Sequence, residues 1–295
     1  MRLVVLDIGG TSIKSAVYED GFLNGYEECE TEAAKGGEYV LTKVLGLIRS
    51  RGRCDGIGIS TAGQVDVCTG TIIHANDNIP GYTGIELGRL TENEFGVPVA
   101  VENDVNAAAV GEGHFGAARD ETDFLCLTYG TGVGGAVVID RKVYRGYSGS
   151  AGEFGSIITH GNKAKAGKRA GGCYETYAST EALVRRINQI IPGLDNGKKI
   201  FSSLELPEVK KNVDEWISEI AYGLVTLIHI FNPKCVILGG GVMNQSYVVE
   251  EVKRHTGRYI MPSFAGVRIC SAALGNKAGL WGVAYLAEEK IKNNP

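Results

Sequence analysis

The sequence predicts an α/β fold with two similar domains. Helical hydrophobic patterns alternate with short apolar strands along the chain, which is typical of this class. In addition, a strand, a glycine turn and a second strand over residues 3–18 recur over residues 124–139. When the two copies are aligned without gaps, Val17 is aligned with Val138. The repeat predicts that each domain opens with a β-meander that carries a glycine turn, the alternative being a chance similarity of two strand–turn–strand units.

The individual elements follow from apolar periodicity and from turn residues. Strands are predicted at residues 3–6, 13–18, from about 22, and at 55–60, 97–101, 124–127, 136–139 and 235–238. Helices are predicted at residues 38–51, 105–111 and 276–290, and another carries the apolar positions from 216 to 231. Proline lacks a backbone N–H, so the strand that contains Pro98 is expected at a sheet edge or near its own start.

Composition excludes several classes of function. The 295 residues carry a formal net charge of -4, with 44% hydrophobic and 22% charged residues, as in an ordinary globular protein. No basic face is implied, so nucleic acid and anionic membranes are poor candidate partners. The first apolar run stops at Asp7, so no signal peptide is predicted. The seven cysteines show no paired spacing, and a soluble cytoplasmic protein with reduced thiols is expected.

Three glycine clusters, at residues 9–10, 130–135 and 239–241, each follow an apolar strand. Glycine lets backbone N–H groups converge on a phosphate without interference from a Cβ. Thr11 and Thr131 can add hydroxyl donors. The third cluster also precedes a predicted helix, whose N-terminus favours a nucleotide's phosphates or close packing of the base. A tight hairpin is the alternative for any single cluster, whereas the three together favour phosphate binding.

Two common nucleotide motifs do not explain these clusters. The glycines at residues 130–135 lie between two predicted strands, whereas a dinucleotide fingerprint precedes a helix. No P-loop motif of the form G-x-x-x-x-G-K-[ST] occurs in the sequence. The glycine clusters therefore indicate a different phosphate-binding architecture.

Two carboxylates are candidates for phosphoryl transfer, which requires phosphate cradles, Mg²⁺ and a base for the attacking hydroxyl. Asp7 ends a strand beside the first glycine turn, where it is placed to hold Mg²⁺ directly or through water. The candidate base lies in Glu102-Asn103-Asp104, just after a predicted strand. Taken from the residues alone, Asn103 or Asp104 is more simply explained as a helix N-cap.

In this order the motifs resemble those of the ROK family (repressor, open reading frame, kinase) of sugar kinases, across essentially the whole chain. Residues 7–14 match the family's first phosphate motif, and residues 102–104 match the segment with its catalytic aspartate. Residues 130–135 match the second phosphate motif, and residues 239–241 match the adenosine-side turn. The resemblance implies an actin-like, ribonuclease H-like ATPase fold with a cleft between two domains. It implies domains over residues 1–118, completed by a C-terminal helix at 278–295, and over 119–277, with the dimer interface in the second.

The resemblance also assigns roles to individual residues. It implies that Asp104 is the general base, which sets the cap interpretation aside, and that Asp7 holds Mg²⁺. Sugar contacts are implied for Gly63, Asn78, Asn103, Glu153, Ser156 and Glu175. ATP contacts are implied for Asp7, Gly9, Gly10, Thr11, Lys14, Gly130, Thr131, Gly132, Gly239 and Gly240. Carboxylates and amides suit a sugar site, because each engages adjacent hydroxyls and rejects analogues that lack them.

One departure from the family pattern concerns zinc. Most family members carry a structural zinc site formed by a histidine and three later cysteines. Here the histidine position is Ser156, two cysteine positions are Ala166 and Lys168, and only Cys173 remains. Structural zinc needs about four N or S ligands, so no zinc site is expected. The family's histidine also contacts the sugar, so its loss implies a differently shaped sugar pocket.

The resemblance therefore implies an ATP- and Mg²⁺-dependent kinase that phosphorylates a hexose or hexose derivative at its 6-hydroxyl. Candidate substrates are N-acetylmannosamine, glucose and a β-glucoside, and a homodimer is usual for the family. The family's repressors carry a DNA-binding segment ahead of the kinase-like body. Here the first strand is predicted to begin at about residue 2, so no such segment is expected. A non-catalytic sugar sensor is the main alternative. An actin-like filament or chaperone ATPase would not need the sugar-facing residues.

Overall fold

The computed structural model describes residues 1–164 and 171–293, and the chain divides into two compact units. Unit 1 consists of Met1–Arg119, Arg145–Ala151 and Asn276–Pro295, and unit 2 of Asp120–Tyr144 and Gly152–Gly275. The C-terminal segment thus belongs to the same unit as the N-terminal one. The sequence indicated an uninterrupted second domain over residues 119–277, whereas the short segment that begins at Arg145 belongs to unit 1.

The elements are numbered in chain order within the described residues. The strands are β1 (Arg2–Ile8), β2 (Ser12–Glu19), β3 (Phe22–Glu30), β4 (Gly56–Thr61), β5 (Gln64–Asp66), β6 (Thr71–His74), β7 (Val99–Asn103), β8 (Phe124–Tyr129), β9 (Val133–Ile139), β10 (Lys142–Val143), β11 (Cys235–Gly239) and β12 (Arg268–Ser271). The α-helices are α1 (Gly37–Ser50), α2 (Leu87–Phe95), α3 (Asp104–Phe115), α4 (Tyr174–Ala178), α5 (Thr180–Ile190), α6 (Gly197–Phe201), α7 (Pro207–Phe231), α8 (Ser246–Gly257) and α9 (Ala278–Asn293).

Unit 1 is built on a sheet with the strand order β3-β2-β1-β4-β7. The strands β1, β2 and β3 form an antiparallel meander, and β4 and β7 run parallel to β1. Alternate residues of β1 point to opposite faces: Val4 and Leu6 pack in the core with α1, whereas Leu3 and Val5 pack with α3 and α9. At Gly282 of α9 a Cβ would overlap the carbonyl of Ala107 in α3. Both faces of the sheet are therefore covered, and α3 and α9 cross in close contact.

Unit 2 repeats this plan with the strand order β10-β9-β8-β11-β12. Again an antiparallel meander is followed by two strands parallel to the first. The predicted repeat of two similar domains is therefore confirmed. The gapless alignment is wrong by one residue after the turn. Val4 of unit 1 is equivalent to Leu125 of unit 2; Val4 pairs with Val17, whereas Leu125 pairs with Val137. Val17 is therefore equivalent to Val137 and not to Val138. The second glycine turn is shorter by one residue.

Most of the predicted elements form within a few residues of their expected bounds. The predicted strand with Pro98 is β7, which begins one residue after this proline and is an edge strand of its sheet. The apolar face predicted from 216 to 231 lies on α7, with Trp216 and Leu224 buried in the core of unit 2. The strands β5, β6, β10 and β12 and the helices α2, α5 and α6 were not predicted.

Two further observations bear on the environment of the protein. None of the helices in residues 1–164 and 171–293 has the length and apolar character needed to cross a membrane. All seven cysteines carry free thiols. The nearest pair is Cys235 and Cys270, on the neighbouring strands β11 and β12, with 3.9 Å between the two sulfur atoms.

Candidate active site

The carboxyl ends of β1, β4 and β7 bring three polar side chains into one row at the edge of the unit 1 sheet. In the strand register Asp7 lies opposite Ser60, and Ser60 lies opposite Glu102. Because the three strands are parallel, their carboxyl ends meet at this edge, which is where open α/β sheets bind ligands. Residues opposite in register share a face of the sheet, so these three side chains point to the side covered by α3 and α9.

Asp7 is held by two hydrogen-bond donors. Lys14 Nζ donates to Asp7 Oδ2 at 2.9 Å, and Ser60 Oγ donates to Asp7 Oδ1 at 2.7 Å. Burial tends to lower the pKa of Lys14, but the attraction of Asp7 outweighs it, and the pKa of Lys14 is raised. Lys14 is therefore a permanent positive charge close to the first glycine turn.

The first glycine turn connects β1 to β2 and is exposed at its tip. Gly9 N donates to Ser12 O at 2.9 Å, which closes the turn. Gly10 and Thr11 are exposed. Asn78, which is also exposed, lies beside this tip, since a Cβ built on Gly10 would be 3.9 Å from the Asn78 Cβ. The structure thus brings together one predicted sugar ligand and the first predicted phosphate turn.

Asn103 is the N-cap of α3. Its Oδ1 accepts hydrogen bonds from the backbone N of Val105 at 3.0 Å and of Asn106 at 3.1 Å. Its Nδ2 donates to Gly63 O and to Asp104 Oδ1, both at 2.9 Å. Setting the cap interpretation aside was therefore wrong for Asn103. All four hydrogen-bonding positions of the amide are in use, so a sugar hydroxyl would have to displace one of these partners.

Asp104 is the first residue of α3 and is a partly buried residue. It accepts hydrogen bonds from Val105 N and from Asn103 Nδ2, both at 2.9 Å. Desolvation by the surrounding protein, followed by repulsion from Asp7, raises the pKa of Asp104 from 3.8 to about 7. A carboxyl whose pKa lies near neutrality is suited to accept a proton from a bound hydroxyl.

Gly63 has a backbone conformation that requires glycine. Its φ is +98°, and a Cβ at this position would lie 2.8 Å from the carbonyl oxygen of His74. Its own carbonyl accepts the hydrogen bond from Asn103 Nδ2. The structure thus gives Gly63 a defined task in orienting Asn103, while its contact with a sugar stays a prediction.

The second glycine turn, in unit 2, connects β8 to β9. Gly130 N donates to Gly132 O at 3.0 Å, and Thr131 is exposed at the tip. The carboxylate of Glu175, the second residue of α4, lies against this turn. A Cβ on Gly132 would be 2.7 Å from Glu175 Oε2, and one on Gly155 would be 2.8 Å from the same atom. A predicted sugar ligand therefore neighbours the second predicted phosphate turn.

Gly135, at the end of the same motif, serves packing. A Cβ on Gly135 would overlap the ring of Phe154, so glycine allows the following loop to lie directly on β9. In that loop Glu153 is exposed, and a short 3₁₀ helix (Phe154–Ser156) follows it. Ser156 N donates to Glu153 O at 3.1 Å. The loop thus fixes the backbone of two predicted sugar ligands, and their contacts with a sugar stay predictions.

The third glycine cluster follows β11. Gly240 has a φ of +103°, and a Cβ on it would overlap the carbonyl of Tyr129 at the end of β8. The segment that follows is a single 3₁₀ turn (Gly241–Asn244), and α8 begins only at Ser246. The predicted helix after this cluster is therefore present, and the 3₁₀ turn separates its N-terminus from Gly239 and Gly240. The structure thus gives Gly240 a role in close packing against β8, while the contacts of Gly239 and Gly240 with a nucleotide stay predictions.

The loop in which the sequence analysis expects no zinc site is only partly described. Cys173 is buried and forms an isolated β-bridge with Ile158. Ser156 takes the place of the family's histidine, and Ala166 and Lys168 lie outside the described residues. Among the residues that the structure describes, no group of three or more His, Cys, Asp or Glu side chains is arranged to hold a metal.

Sequence reasoning missed three residues at the unit 1 edge. Ser60 holds Asp7 and has no exposed surface, and a serine at the end of an otherwise apolar strand was a usable signal. Glu102 is 1% exposed and is paired with Arg145. No local pattern links these two residues, because they are 43 positions apart.

Comparison with known proteins agrees with this fold, which is that of the actin-like ATPases. The pattern of the ROK family matches residues 3–290. The chain belongs to the ROK family.

Three relatives cover nearly the full chain. A β-glucoside kinase of Listeria innocua is 32% identical over 296 residues, which is 97% of either chain. The crystal structure of a ROK hexokinase from Thermus thermophilus is 32% identical with a TM-score of 0.84, covering 100% of both chains. The structure of a ROK family glucokinase from Streptomyces griseus, in complex with glucose and AMPPNP, is 31% identical with a TM-score of 0.86. It covers 98% of this chain and 100% of that one.

Proposed function

We propose that this chain is an ATP-dependent sugar kinase that transfers the γ-phosphoryl group of ATP to the 6-hydroxyl of a hexose or hexose derivative. The observation that carries the proposal is Asp104, a carboxyl with a pKa of about 7 at the start of α3, on the sheet edge that also carries Asp7. General bases work best when their pKa is close to the working pH. Membership of a family whose named relatives are sugar kinases supports the same activity.

Asp104 accepts the proton of the sugar hydroxyl as that hydroxyl attacks the phosphoryl group. The hydrogen bonds from Val105 N and Asn103 Nδ2 fix the orientation of the carboxylate. Because a fixed base converts the proton transfer into a step within the bound complex, this positioning contributes to the rate along with the basicity. General acid–base catalysis of this kind typically accelerates a reaction by about 10²–10⁴-fold.

ATP is held, in this proposal, by the three glycine clusters. The backbone amides of the two turns, with the hydroxyls of Thr11 and Thr131, bind the phosphates. Lys14 contributes a positive charge beside the first turn. The nucleotide contacts are assigned to Gly9, Gly10, Thr11, Lys14, Gly130, Thr131 and Gly132, with Gly239 and Gly240 on the adenosine side.

Asp7 fits a role in binding Mg²⁺ through water. Each of its carboxylate oxygens already accepts one hydrogen bond, from Lys14 or from Ser60. A carboxylate oxygen has a second acceptor position, which leaves both oxygens able to accept from a water of hydration. When bound, Mg²⁺ neutralises charge on the transferring phosphoryl group.

The sugar is held by amides and carboxylates from several loops. In unit 1 these are Asn78, exposed beside Gly10, and Asn103, which exchanges one of its present partners for a hydroxyl. In unit 2 they are Glu153, Ser156 and Glu175. A serine takes less space than the family's histidine, which favours substrates with an added substituent, so we include β-glucosides and N-acetylmannosamine beside glucose.

A coupled assay of ADP release tests the proposed function. Purified protein with ATP and Mg²⁺ is tested against glucose, N-acetylmannosamine, N-acetylglucosamine, cellobiose and the β-glucoside arbutin. We expect sugar-dependent ADP release with at least one of them, and a product whose phosphate is on O6 by NMR. Sugar binding in calorimetry without any ADP release would instead support a non-catalytic sugar sensor and contradict the proposal.

We also propose a cytoplasmic homodimer that associates through unit 2. The free thiols of all seven cysteines fit a reducing compartment. On unit 2, Tyr222, Ile230, Tyr259 and Met261 are 42%, 67%, 53% and 58% exposed, and large exposed apolar side chains are often covered in an oligomer. Light scattering gives the mass directly, and a mass of one chain at micromolar concentration would contradict the dimer.

A further inference from the structure

Glu102 is a buried carboxylate to which the proposed mechanism gives no task. It is 1% exposed and lies directly before Asn103 and Asp104. Its Oε1 accepts hydrogen bonds from Asn103 N at 3.0 Å and from Asn106 Nδ2 at 3.2 Å. Its Oε2 forms an ion pair with the guanidinium of Arg145. One oxygen of Glu102 thus binds the corner between β7 and α3, and the other binds a distant segment of the chain.

Arg145 is the first residue of the segment Arg145–Ala151, which belongs to unit 1. The residues directly before and after this segment belong to unit 2. Ala151 N donates to Arg145 O at 3.1 Å, which closes the segment into a loop. Ser150 Oγ donates to Gln64 Oε1 at 2.9 Å, so the loop is attached to the start of β5. Gln64 follows Gly63, whose carbonyl holds the side chain of Asn103. The loop is therefore connected to the β7–α3 corner at two places.

We infer that Arg145 is a positioning residue: through its ion pair with Glu102 it fixes the corner that carries Asn103 and Asp104. The inference rests on the proposed function, because the orientation of this corner matters for turnover only if Asp104 is the base. A buried carboxylate that loses its cation is left with an uncompensated charge and must protonate or move. Either response disturbs the hydrogen bonds that Glu102 accepts from the corner.

The choice of arginine follows from the geometry. A guanidinium has five donors in a rigid plane, whereas a lysine ammonium is a compact point charge on a flexible stem. Arg145→Lys therefore keeps the charge but holds the corner less firmly. Arg145→Met has a side chain of similar length without charge. In Glu102→Gln/Arg145→Met both charges are gone, and the glutamine oxygen still accepts from Asn103 N.

Steady-state kinetics with ATP, Mg²⁺, and glucose or arbutin test the catalytic part. For Arg145→Met we expect kcat to fall by about 30-fold, since small displacements of reacting groups cost up to about 100-fold, with the KM for ATP within about threefold. Arg145→Lys recovers part of the loss, and the double variant is faster than Arg145→Met. The control is Arg49→Met, which removes an exposed ion pair with Glu94 in the same unit and leaves kcat within about twofold.

Hydrogen–deuterium exchange without substrate tests the structural part independently of activity. In Arg145→Met, peptides that cover residues 99–110 and 145–151 should exchange faster than in wild type, and in Arg49→Met they should not. Unchanged exchange in these peptides overturns the inference whatever the activity. A wild type that turns over sugar while Arg145→Met keeps its full kcat overturns the catalytic part alone. A wild type with no sugar kinase activity overturns the proposed function, and the exchange data then still decide whether Arg145 fixes the corner.

Discussion

At the scale of single residues, two carboxylates at one sheet edge have different surroundings and, in our proposal, different tasks. Asp7 has a cation partner, Lys14, and a hydroxyl donor, Ser60. Asp104 accepts hydrogen bonds from Asn103 Nδ2 and Val105 N, is desolvated and is repelled by Asp7. The cation and hydroxyl partners of Asp7 favour it as a ligand, and the raised pKa of Asp104 favours it as the base.

The raised pKa of Asp104 predicts how activity depends on pH. A base must be ionised to accept a proton, and the pKa of Asp104 is raised from 3.8 to about 7. We therefore expect kcat/KM for the sugar, measured at saturating nucleotide, to fall about tenfold per pH unit below 7 and to level off above it. A profile that stays flat from pH 8 down to pH 5 would show that Asp104 titrates near its usual value or is not the base.

At the scale of elements, the corner between β7 and α3 depends on the close crossing of α3 and α9. Two glycines make this crossing possible: Gly282 of α9 lies against Ala107, and Gly111 of α3 lies against Ala278. At either position a Cβ would overlap a backbone carbonyl. The helix that carries Asp104 is thus held by contacts that leave no space for a methyl group.

Gly282→Ala should therefore destabilise the protein and displace α3. Added atoms in a tightly packed contact cost about 1–3 kcal/mol, and we expect a loss of this size in the free energy of unfolding, with a lower kcat. Gly46→Ala is the matched control, because Gly46 lies in α1 with no atom within 4 Å of its Cβ position. Replacing an unstrained helical glycine should stabilise by about 0.4–1 kcal/mol. Equal effects of the two substitutions in denaturant unfolding would contradict the packing argument.

Elements with a long periodic pattern were predictable, and elements held by distant contacts were not. The face of α7 is visible in the sequence because Trp216 and Leu224 repeat at helical spacing over many turns. The five-residue helices α4 and α6 are too short for such a pattern and depend on tertiary packing. At the site, Asp7 and Asp104 were predictable from strand ends and motifs. The ion pair of Glu102 and Arg145 was not, because only the fold brings these residues together.

At the scale of the whole molecule, two units share one plan but differ at the sheet edge. In unit 1 the strand register places Asp7 opposite Ser60. In unit 2 the corresponding positions are Thr128 and Gly239. Unit 1 therefore has an aspartate at this position of its first strand, whereas unit 2 has a threonine. In our proposal the cation and the proton are bound by the carboxylates of unit 1, for which this row of unit 2 has no counterpart.

The protein should contain no structural zinc. Ser156, Ala166 and Lys168 offer no replacement for the missing ligands beside Cys173, and a structural site needs about four. Elemental analysis of purified protein should find far less than one zinc per chain, and activity should survive a zinc chelator in excess Mg²⁺ but be lost without Mg²⁺. One tightly held zinc per chain would contradict this prediction.

The central claim is that Asp104 accepts the proton of the sugar hydroxyl, and Asp104→Asn tests it most directly. Asparagine has the same shape and also suits the first turn of a helix, so the variant should fold and bind ATP and sugar with affinities close to wild type in calorimetry. We expect its kcat for the best sugar to fall by about 10²–10⁴-fold. A kcat within about threefold of wild type, which is less than about 1 kcal/mol in barrier height, would contradict the claim.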